Sequence, residues 1–429
     1  MFGFANFLLL ALFAAAVFDL IFALARGGGL RGALHGLWNT PHLLFGQQLA
    51  EWRLQLGRIL FAAGLAAYEI SVVFCNSMVR QNWAWVQGVM SPVLEWLAFL
   101  CFGAKILFGT RYTWRELLAG GALYFIARWV YFNSQNIWWI GIVVAVLAAK
   151  DVPLRRPLQV YFASGCAAMA VVLALHFAGI VAPDLTSERM GALRGTYGYG
   201  HPNTFGGLVF GLVLAYALLR AQKVRWVDCL LVFAVGVFLL VGPASRSAAL
   251  CTLALAVGLV FCRLRTGHSV PRWWPGTCAG MVGLTAAVSY LLPLLVIKVG
   301  PWNNDIGPAW LAKLDSLLTC RISLTWMAYR LLDVKIAGQV FNWPTVDNSF
   351  AFALFQFGPV VAALLGILFA AALWGHAKQG RRVEVCCLFA MLAYAYMEVQ
   401  PFHLTTNPTA LLLCGAVFAQ TSARWQKIE

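Results

Sequence analysis

Long apolar segments, separated by short polar ones, recur along almost the whole chain. Each is roughly 17 to 25 residues long, the length of an α-helix that crosses the hydrocarbon core of a bilayer. A helix is the expected conformation there, because lipid offers no hydrogen-bond partners to an open backbone. The pattern predicts thirteen spans, at about residues 4–24, 58–79, 92–108, 116–131, 137–149, 158–180, 203–220, 226–241, 246–262, 276–297, 348–374, 382–398 and 404–421.

Two regions set the range of this span count. The segment 137–149 is short for a span, and the region 27–50 has room for an interfacial helix. We therefore expect an all-α, polytopic transmembrane helical bundle of about 12–14 spans, with residues 1–429 as a single integral membrane domain. The longest polar segment, 298–347, is expected to be a loop that contains helices and covers the bundle, because residues 321–332 repeat their apolar positions with helical spacing.

Composition agrees with a membrane protein. Hydrophobic residues make up 61% of the chain and charged residues only 11%, whereas soluble domains have about 25% charged residues. Most of the eleven cysteines lie in or beside apolar segments, and they show no Cys/His ligand spacing. Neither a disulfide framework nor a metal site is predicted.

The net charge of +15 first suggests a nucleic-acid partner, but the basic residues lie in short clusters between the predicted spans. Of the 31 Lys and Arg residues, 21 fall in alternate loops, near residues 26–58, 105–115, 150–156, 220–225, 263–272, 378–382 and 424–427. Clusters of this kind beside spans mark the cytoplasmic side. We therefore predict membrane lipid and no nucleic acid as the surroundings of the chain, with the other loops outside the cytoplasm.

The segment 194–206, Arg-Gly-Thr-Tyr-Gly-Tyr-Gly-His-Pro-Asn-Thr-Phe-Gly, is polar, rich in glycine and placed between two predicted spans. Its glycines permit a ligand to approach the backbone closely, and Pro202 followed by Asn203 suits the start of a helix. The charge pattern places this segment on the extracytoplasmic side. We interpret it as half of an active site.

Arginines from three separate extracytoplasmic segments accompany this motif, namely Arg194, Arg246 and Arg321. Arginine suits a phosphate or diphosphate, since its planar guanidinium makes paired, charge-assisted hydrogen bonds and keeps its proton. A helix that starts beside Arg246 would add a favourable dipole for an anion. Each residue also has a structural interpretation: Arg194 as a loop cation, Arg246 as an interfacial residue, and Arg321 on a solvated helix face.

Two further residues are candidate proton acceptors. His201 and Asp347 can each serve as a general base for a hydroxyl group. Alternatively, His201 makes a hydrogen bond within a turn, and Asp347 caps a helix. The remaining candidates for contact with a substrate are Tyr197, Asn203, Arg330 and Asn348, of which Arg330 lies on nearly the opposite helical face from Arg321.

Four motifs in this order resemble the bacterial O-antigen polymerase (Wzy) and O-antigen ligase superfamily. They are Gly200-His-Pro-Asn-Thr-Phe-Gly206 next to Arg194, Ser245-Arg246-Ser247, Arg321 with its amphipathic run, and Asp347-Asn-Ser-Phe350 before Phe357-Gly358. Their order and spacing, over about residues 95–375, are similar to those of polysaccharide-repeat polymerases, especially from Gram-positive capsule and exopolysaccharide systems. Each motif is short, but four in order on the same predicted side make the resemblance fairly specific.

The resemblance implies a GT-C-like fold in a bacterial plasma membrane and a metal-independent glycosyl transfer, without a cofactor, outside the cytoplasm. The donor would be a glycan on undecaprenyl diphosphate, and the acceptor another lipid-linked repeat unit. Loop arginines of the family engage the lipid diphosphate, which carries over by motif position to Arg194, Arg246 and Arg321. A chain-length regulator and a flippase would be the partner proteins.

One departure from the family concerns the proton acceptor: the ligases carry a histidine where this chain has Asp347. The assignment of the base therefore stays open between Asp347 and His201. Two alternatives to a polymerase also stay open. One is a ligase that transfers the finished glycan to a different acceptor, and the other is a flippase or transporter of a lipid-linked glycan, suggested by the many spans and by Arg128 inside one of them.

Overall fold

The computed structural model describes residues 2–25, 29–45, 50–181, 187–189, 192–296 and 307–418. The chain there is almost entirely helical. The first half contains α1 (Phe2–Ala25), α2 (Gly29–Asn39), α3 (Ala50–Cys75), α4 (Val79–Asn82), α5 (Ser91–Phe108), α6 (Trp114–Ser134), α7 (Ile137–Ala148), α8 (Arg155–Phe177) and α9 (Pro202–Leu219). The second half contains α10 (Trp226–Val241), α11 (Arg246–Leu264), α12 (Trp274–Leu291), α13 (Ala309–Leu317), α14 (Arg321–Leu331), α15 (Ser349–Phe352), α16 (Pro359–Lys378), α17 (Arg382–Met397) and α18 (Cys414–Val417).

Two small antiparallel strand pairs lie outside this helical pattern. Strand β1 (His42–Leu43) pairs with β2 (Arg111–Tyr112), and β3 (Ser187–Arg189) pairs with β4 (Ala192–Arg194). Short π-helical and 3₁₀-helical turns complete the secondary structure, at Val86–Met90, Leu292–Leu295, Ala353–Phe357, Gln400–Phe402 and Pro408–Leu413.

The chain is a multi-pass membrane protein. Eight helices of the described residues are long and apolar enough to cross a bilayer, and three shorter apolar helices accompany them. Helices at the periphery expose apolar side chains; on α10, for example, Val227 is 70% and Leu230 is 68% exposed. Such apolar surface is stable in lipid and costly in water.

Eight of the thirteen predicted spans have the length and composition of a full span. Each of the thirteen predicted spans coincides with helix, but α6, α17 and the three short apolar helices do not meet the length and composition of a full span. The region 27–50 does contain a short helix, α2, as expected. The predicted helix at 321–332 is confirmed as α14, and residues 297–306 of the long loop lie outside the described residues.

The predicted span 348–374 is broken into two helices. Gly358 has a φ of +87°, and a Cβ at this position would lie 2.1 Å from the carbonyl oxygen of Ile336. The polar loop before α15 therefore packs against the backbone at the break, which needs a glycine. The predicted span 404–421 is likewise a 3₁₀ turn followed by the short helix α18.

Helix α9 lies at the centre of the bundle, and most of its residues are buried. It packs against α8, α11 and α17 and against the 3₁₀ turn Pro408–Leu413. A Cβ at Gly207 would lie 1.8 Å from Oε1 of Gln400, and one at Gly206 would lie 2.2 Å from Oγ of Ser245. These two glycines let the turn after α17 and the start of α11 approach the first turns of α9.

Candidate functional site

A polar network lies where α9 and α11 begin and α17 ends. Arg194, the last residue of β4, is 6% exposed and donates from Nη2 to Oδ1 of Asn203 (2.9 Å) and to the carbonyl oxygen of Ala244 (3.2 Å). Asn203, in the first turn of α9, donates from Nδ2 to Oε1 of Glu398 (3.1 Å). A loop arginine, a helix amide and a carboxylate are thus joined in one chain of hydrogen bonds.

Glu398 and Arg321 form a buried ion pair at the centre of this network. Nη2 of Arg321 lies 2.6 Å from Oε1 of Glu398, and the two side chains are 8% and 6% exposed. Oγ of Ser247, in the first turn of α11, donates to the same Oε1 at 2.8 Å. Arg321 also donates to the carbonyl oxygens of Met397 and Leu318, so its guanidinium is engaged in hydrogen bonds within the protein.

The backbone around Glu398 is held as firmly as its side chain. Oγ of Ser349, the first residue of α15, donates to the carbonyl oxygen of Glu398 at 2.6 Å. Gln400 donates from Nε2 to the carbonyl oxygen of Asn203 (3.2 Å) and accepts at Oε1 from the hydroxyl of Tyr394 (2.9 Å). The extended residue Glu398, directly after α17, is therefore fixed between α9, α11 and α15.

The surroundings favour the neutral form of Glu398 more than water does. Burial raises the pKa of its carboxyl above the ordinary value of 4.5, the charge of Arg321 opposes this rise, and the charge of Asp347 adds to it. Asp347 is partly exposed in the segment before α15. The charge of Asp347 therefore opposes ionisation of Glu398, and the charge of Arg321 favours it.

The site contains four of the predicted residues and places a fifth at its edge. The network includes Arg194, Asn203 and Arg321 directly, and Asp347 through its charge. Arg246 is exposed and is the first residue of α11, next to Ser247. Of the three predicted arginines, Arg246 is therefore the one that faces outward, while Arg194 and Arg321 are buried.

The other predicted residues have local structural contacts. His201 caps α9, with Nδ1 accepting from the backbone N–H of Asn203 at 3.1 Å, and Asn348 caps α15 through Oδ1. Tyr197 stacks on Phe205, with ring centroids 5.0 Å apart. Arg330 is exposed and lies over Trp326 of its own helix, 5.7 Å from the ring centroid.

Glu398 is the residue that sequence reasoning missed. It was counted as the last residue of the predicted span 382–398, with no role of its own. A signal was present, since a carboxylate at the end of an apolar segment is costly unless it is paired, and such residues are functional candidates. Its partner Arg321 is 77 residues away in the chain, so the pairing could not be read from local pattern.

The geometry at the start of α11 favours an anion. The first N–H groups of a helix lack intrahelical acceptors and carry partial positive charge. Ser245, which precedes α11, makes no capping hydrogen bond with its side chain, and its hydroxyl instead lies 3.4 Å from Oδ1 of Asn203. The exposed Arg246 adds a full charge at the same place. A phosphate group at this position would interact with both the N–H groups of α11 and the guanidinium of Arg246.

An apolar cavity lies beside the polar network, between α7, α12, α16 and α17. It holds about 960 Å³ of empty space, including its mouth, and nearly all of its lining is apolar. Ser349 lines the cavity and also donates to the carbonyl oxygen of Glu398. Gly366 of α16 lines it too, and a Cβ at Gly366 would have no protein atom within 4 Å. The polar network and the cavity are thus adjacent.

The loops with the predicted cytoplasmic charges lie at the other ends of these helices. Arg246 begins α11, whereas Arg263 is in its last turn. Nζ of Lys105 donates to the carbonyl oxygen of Lys150 at 2.6 Å, and the backbone N–H of Arg111 donates to Asp151 at 3.0 Å. Two of the basic clusters are therefore in direct contact with each other, which places them on the same side of the bundle.

No family model, curated protein or solved structure matches this chain. The case for a function therefore rests on the residues and their geometry.

Proposed function

We propose that the protein is a polysaccharide repeat-unit polymerase, a glycosyltransferase that moves a growing glycan from a lipid diphosphate onto a lipid-linked repeat unit. The observation that carries this proposal is the adjacency of an arginine-rich network at two helix N-termini and an apolar cavity within the bundle. A lipid-linked diphosphate has the same two parts, an anionic head and a hydrocarbon tail. The four motifs of the O-antigen polymerase superfamily support the same interpretation.

The diphosphate is assigned to Arg246 and the N-terminus of α11. Leaving of the diphosphate builds up negative charge, and fixed cations and helix N–H groups stabilise that charge in the transition state. Arginine can do this without a metal, because its guanidinium stays protonated and binds phosphate oxygens in pairs. Arg194 and Arg321 then act indirectly, because Arg194 holds Asn203 in place and Arg321 holds Glu398 in place.

The hydrocarbon chain of the donor or acceptor is assigned to the apolar cavity. Burial of a chain in such a cavity contributes about 0.8 kcal/mol per methylene group. Because Ser349 belongs to both the cavity wall and the network, a lipid in the cavity would present its diphosphate beside Glu398 and Arg246.

The site is assigned to the extracytoplasmic face of a bacterial plasma membrane. Three of the predicted cytoplasmic clusters of basic residues, near 220–225, 263–272 and 378–382, lie at the opposite ends of α9, α11 and α17, and such clusters stay in the cytoplasm. Lipid-linked repeat units on the outer leaflet would then reach the network without crossing the bilayer again. A GT-C-like architecture is part of the same proposal.

The test is polymerisation by the purified protein in nanodiscs, with a lipid-diphosphate-linked repeat unit and EDTA. We expect a ladder of products despite the chelator, and Arg246→Ala should lower kcat/KM about 10- to 100-fold, the value of one or two charge-assisted hydrogen bonds. Arg263→Ala is the matched control, because Arg263 is an exposed arginine in the last turn of the same helix. It should polymerise like the wild type.

Three outcomes would contradict the proposal. A wild-type protein that forms no ladder but moves the repeat unit across liposomes would be a transporter. Transfer of the finished glycan to an acceptor without a lipid diphosphate would favour a ligase. Equal loss of activity in Arg246→Ala and Arg263→Ala would show that the diphosphate does not bind at the start of α11.

A further inference from the structure

We propose that Glu398 accepts the proton of the attacking sugar hydroxyl through its free carboxylate oxygen, Oε2. This inference rests on the proposed glycosyl transfer. It adds a residue that the sequence motifs do not contain and replaces Asp347 and His201 in that role.

The hydrogen bonds of Glu398 divide unequally between its two oxygens. Arg321, Ser247 and Asn203 all donate to Oε1, at 2.6, 2.8 and 3.1 Å. No described residue donates a hydrogen bond to Oε2. One oxygen is therefore fixed by three donors from α14, α11 and α9, while the other is available to a hydroxyl group. A carboxylate held in this way is oriented before the substrate arrives, which is what general base catalysis requires.

The proposed step is a single displacement. The acceptor hydroxyl oxygen forms a bond to the anomeric carbon of the donor sugar, and its proton moves to Oε2 of Glu398. The bond between the anomeric carbon and the diphosphate oxygen breaks, and its electron pair leaves with the lipid diphosphate. Attack opposite to the leaving group inverts the anomeric carbon. The proton on Glu398 then returns to solvent.

The earlier candidates are placed less well for this step. Nδ1 of His201 already accepts a hydrogen bond from the backbone N–H of Asn203, and this hydrogen bond caps α9. Among the described residues, none donates a hydrogen bond to Asp347, so its carboxylate is not oriented. Asp347 acts on Glu398 through charge instead.

Charged and titratable groups face Glu398 from four directions. They are Arg321 on α14, Asp347 before α15, Cys251 on α11, and Tyr394 on α17, with Arg194 one step further away through Asn203. Burial and the charge of Asp347 raise the pKa of Glu398, and Arg321 opposes them. A base must be ionised, so activity should fall on the acid side through a pKa above the ordinary 4.5 of a glutamate.

The experiment is the pH dependence of kcat/KM in the polymerisation assay, for the wild type and three variants. Glu398→Gln keeps the acceptor oxygen for Arg321 and should lower kcat by at least about 100-fold, with little change in KM. Asp347→Asn leaves the burial that raises the pKa of Glu398 but removes the charge that adds to this rise. The acid limb of this variant should therefore move to lower pH, while its maximal rate stays high. Glu384→Gln changes a buried glutamate at the other end of α17 and should leave the profile unchanged.

Each result decides a different question. A ladder formed by Glu398→Gln at near wild-type rate, or an acid limb that does not move in Asp347→Asn, overturns the role of Glu398 and leaves the polymerase proposal intact. A wild type that forms no ladder rejects both proposals. If Glu398→Gln is unstable by thermal unfolding, the shift in Asp347→Asn alone still tests the inference.

Discussion

The ion pair between Arg321 and Glu398 allows a quantitative test that does not depend on activity. The change is Arg321→Met, which removes the cation and keeps an unbranched side chain. Both partners are buried, at 8% and 6% exposure, and their charged atoms lie 2.6 Å apart. Removing one partner of a buried pair typically costs about 3–5 kcal/mol, because the remaining charge has no compensation. We expect a loss of this size near neutral pH.

The loss should depend on pH, with a sign that follows from the pKa of Glu398. Arg321 lowers that pKa, so the variant has a folded-state pKa further above the unfolded value. Below the unfolded pKa the carboxyl is neutral in both states, and the penalty is small. As pH rises, the unfolded state ionises first and the folded state loses relative stability. Arg321→Met should therefore be closest to the wild type near pH 4.5 and least stable, relative to it, at pH 7 to 8.

The measurement is thermal unfolding in nanodiscs across this pH range. Arg330→Met is the matched control, because Arg330 lies on the same helix, is exposed and places its guanidinium over the ring of Trp326. Its replacement should cost less than about 1 kcal/mol. The double variant Arg321→Met with Glu398→Gln should regain most of the stability. Equal stability of Arg321→Met and the wild type at pH 7, or a loss that does not change with pH, would refute the reasoning.

Two further predictions concern the cavity and the cap of α9. Gly366→Phe should place its ring in the cavity, since a Cβ at Gly366 has no protein atom within 4 Å. It should strongly reduce polymer formation, because exclusion of three methylene groups lowers lipid affinity about fifty-fold. Gly375→Phe, on the opposite face of α16, is the control, and a normal ladder from Gly366→Phe would show that the lipid does not bind in the cavity. His201→Ala should cost about 1 kcal/mol of stability in thermal unfolding and keep the ladder, whereas a lost ladder at unchanged stability would restore His201 as a catalytic residue.

The candidate site was predictable in part. Residue type and position relative to the spans singled out Arg194, Asn203 and Arg321, and the structure brings these three together. The same reasoning could not separate a buried arginine from an exposed one, so Arg246 was not distinguished from the others. Nor could it tell a capping residue from a ligand, and His201 and Asn348 prove to cap helices.

The sequence by itself determined the membrane environment, the positions of the long apolar helices and the basic loops, because hydropathy and charge are properties of each segment alone. Only the tertiary structure decided which helices are broken and which charges are paired. The break at Gly358 arises where the loop at Ile336 packs against it, and Glu398 acquires its place from Arg321, Ser247 and Asn203 on three other helices. Such contacts join residues that are distant in the chain, and a buried carboxylate is stable only where they converge.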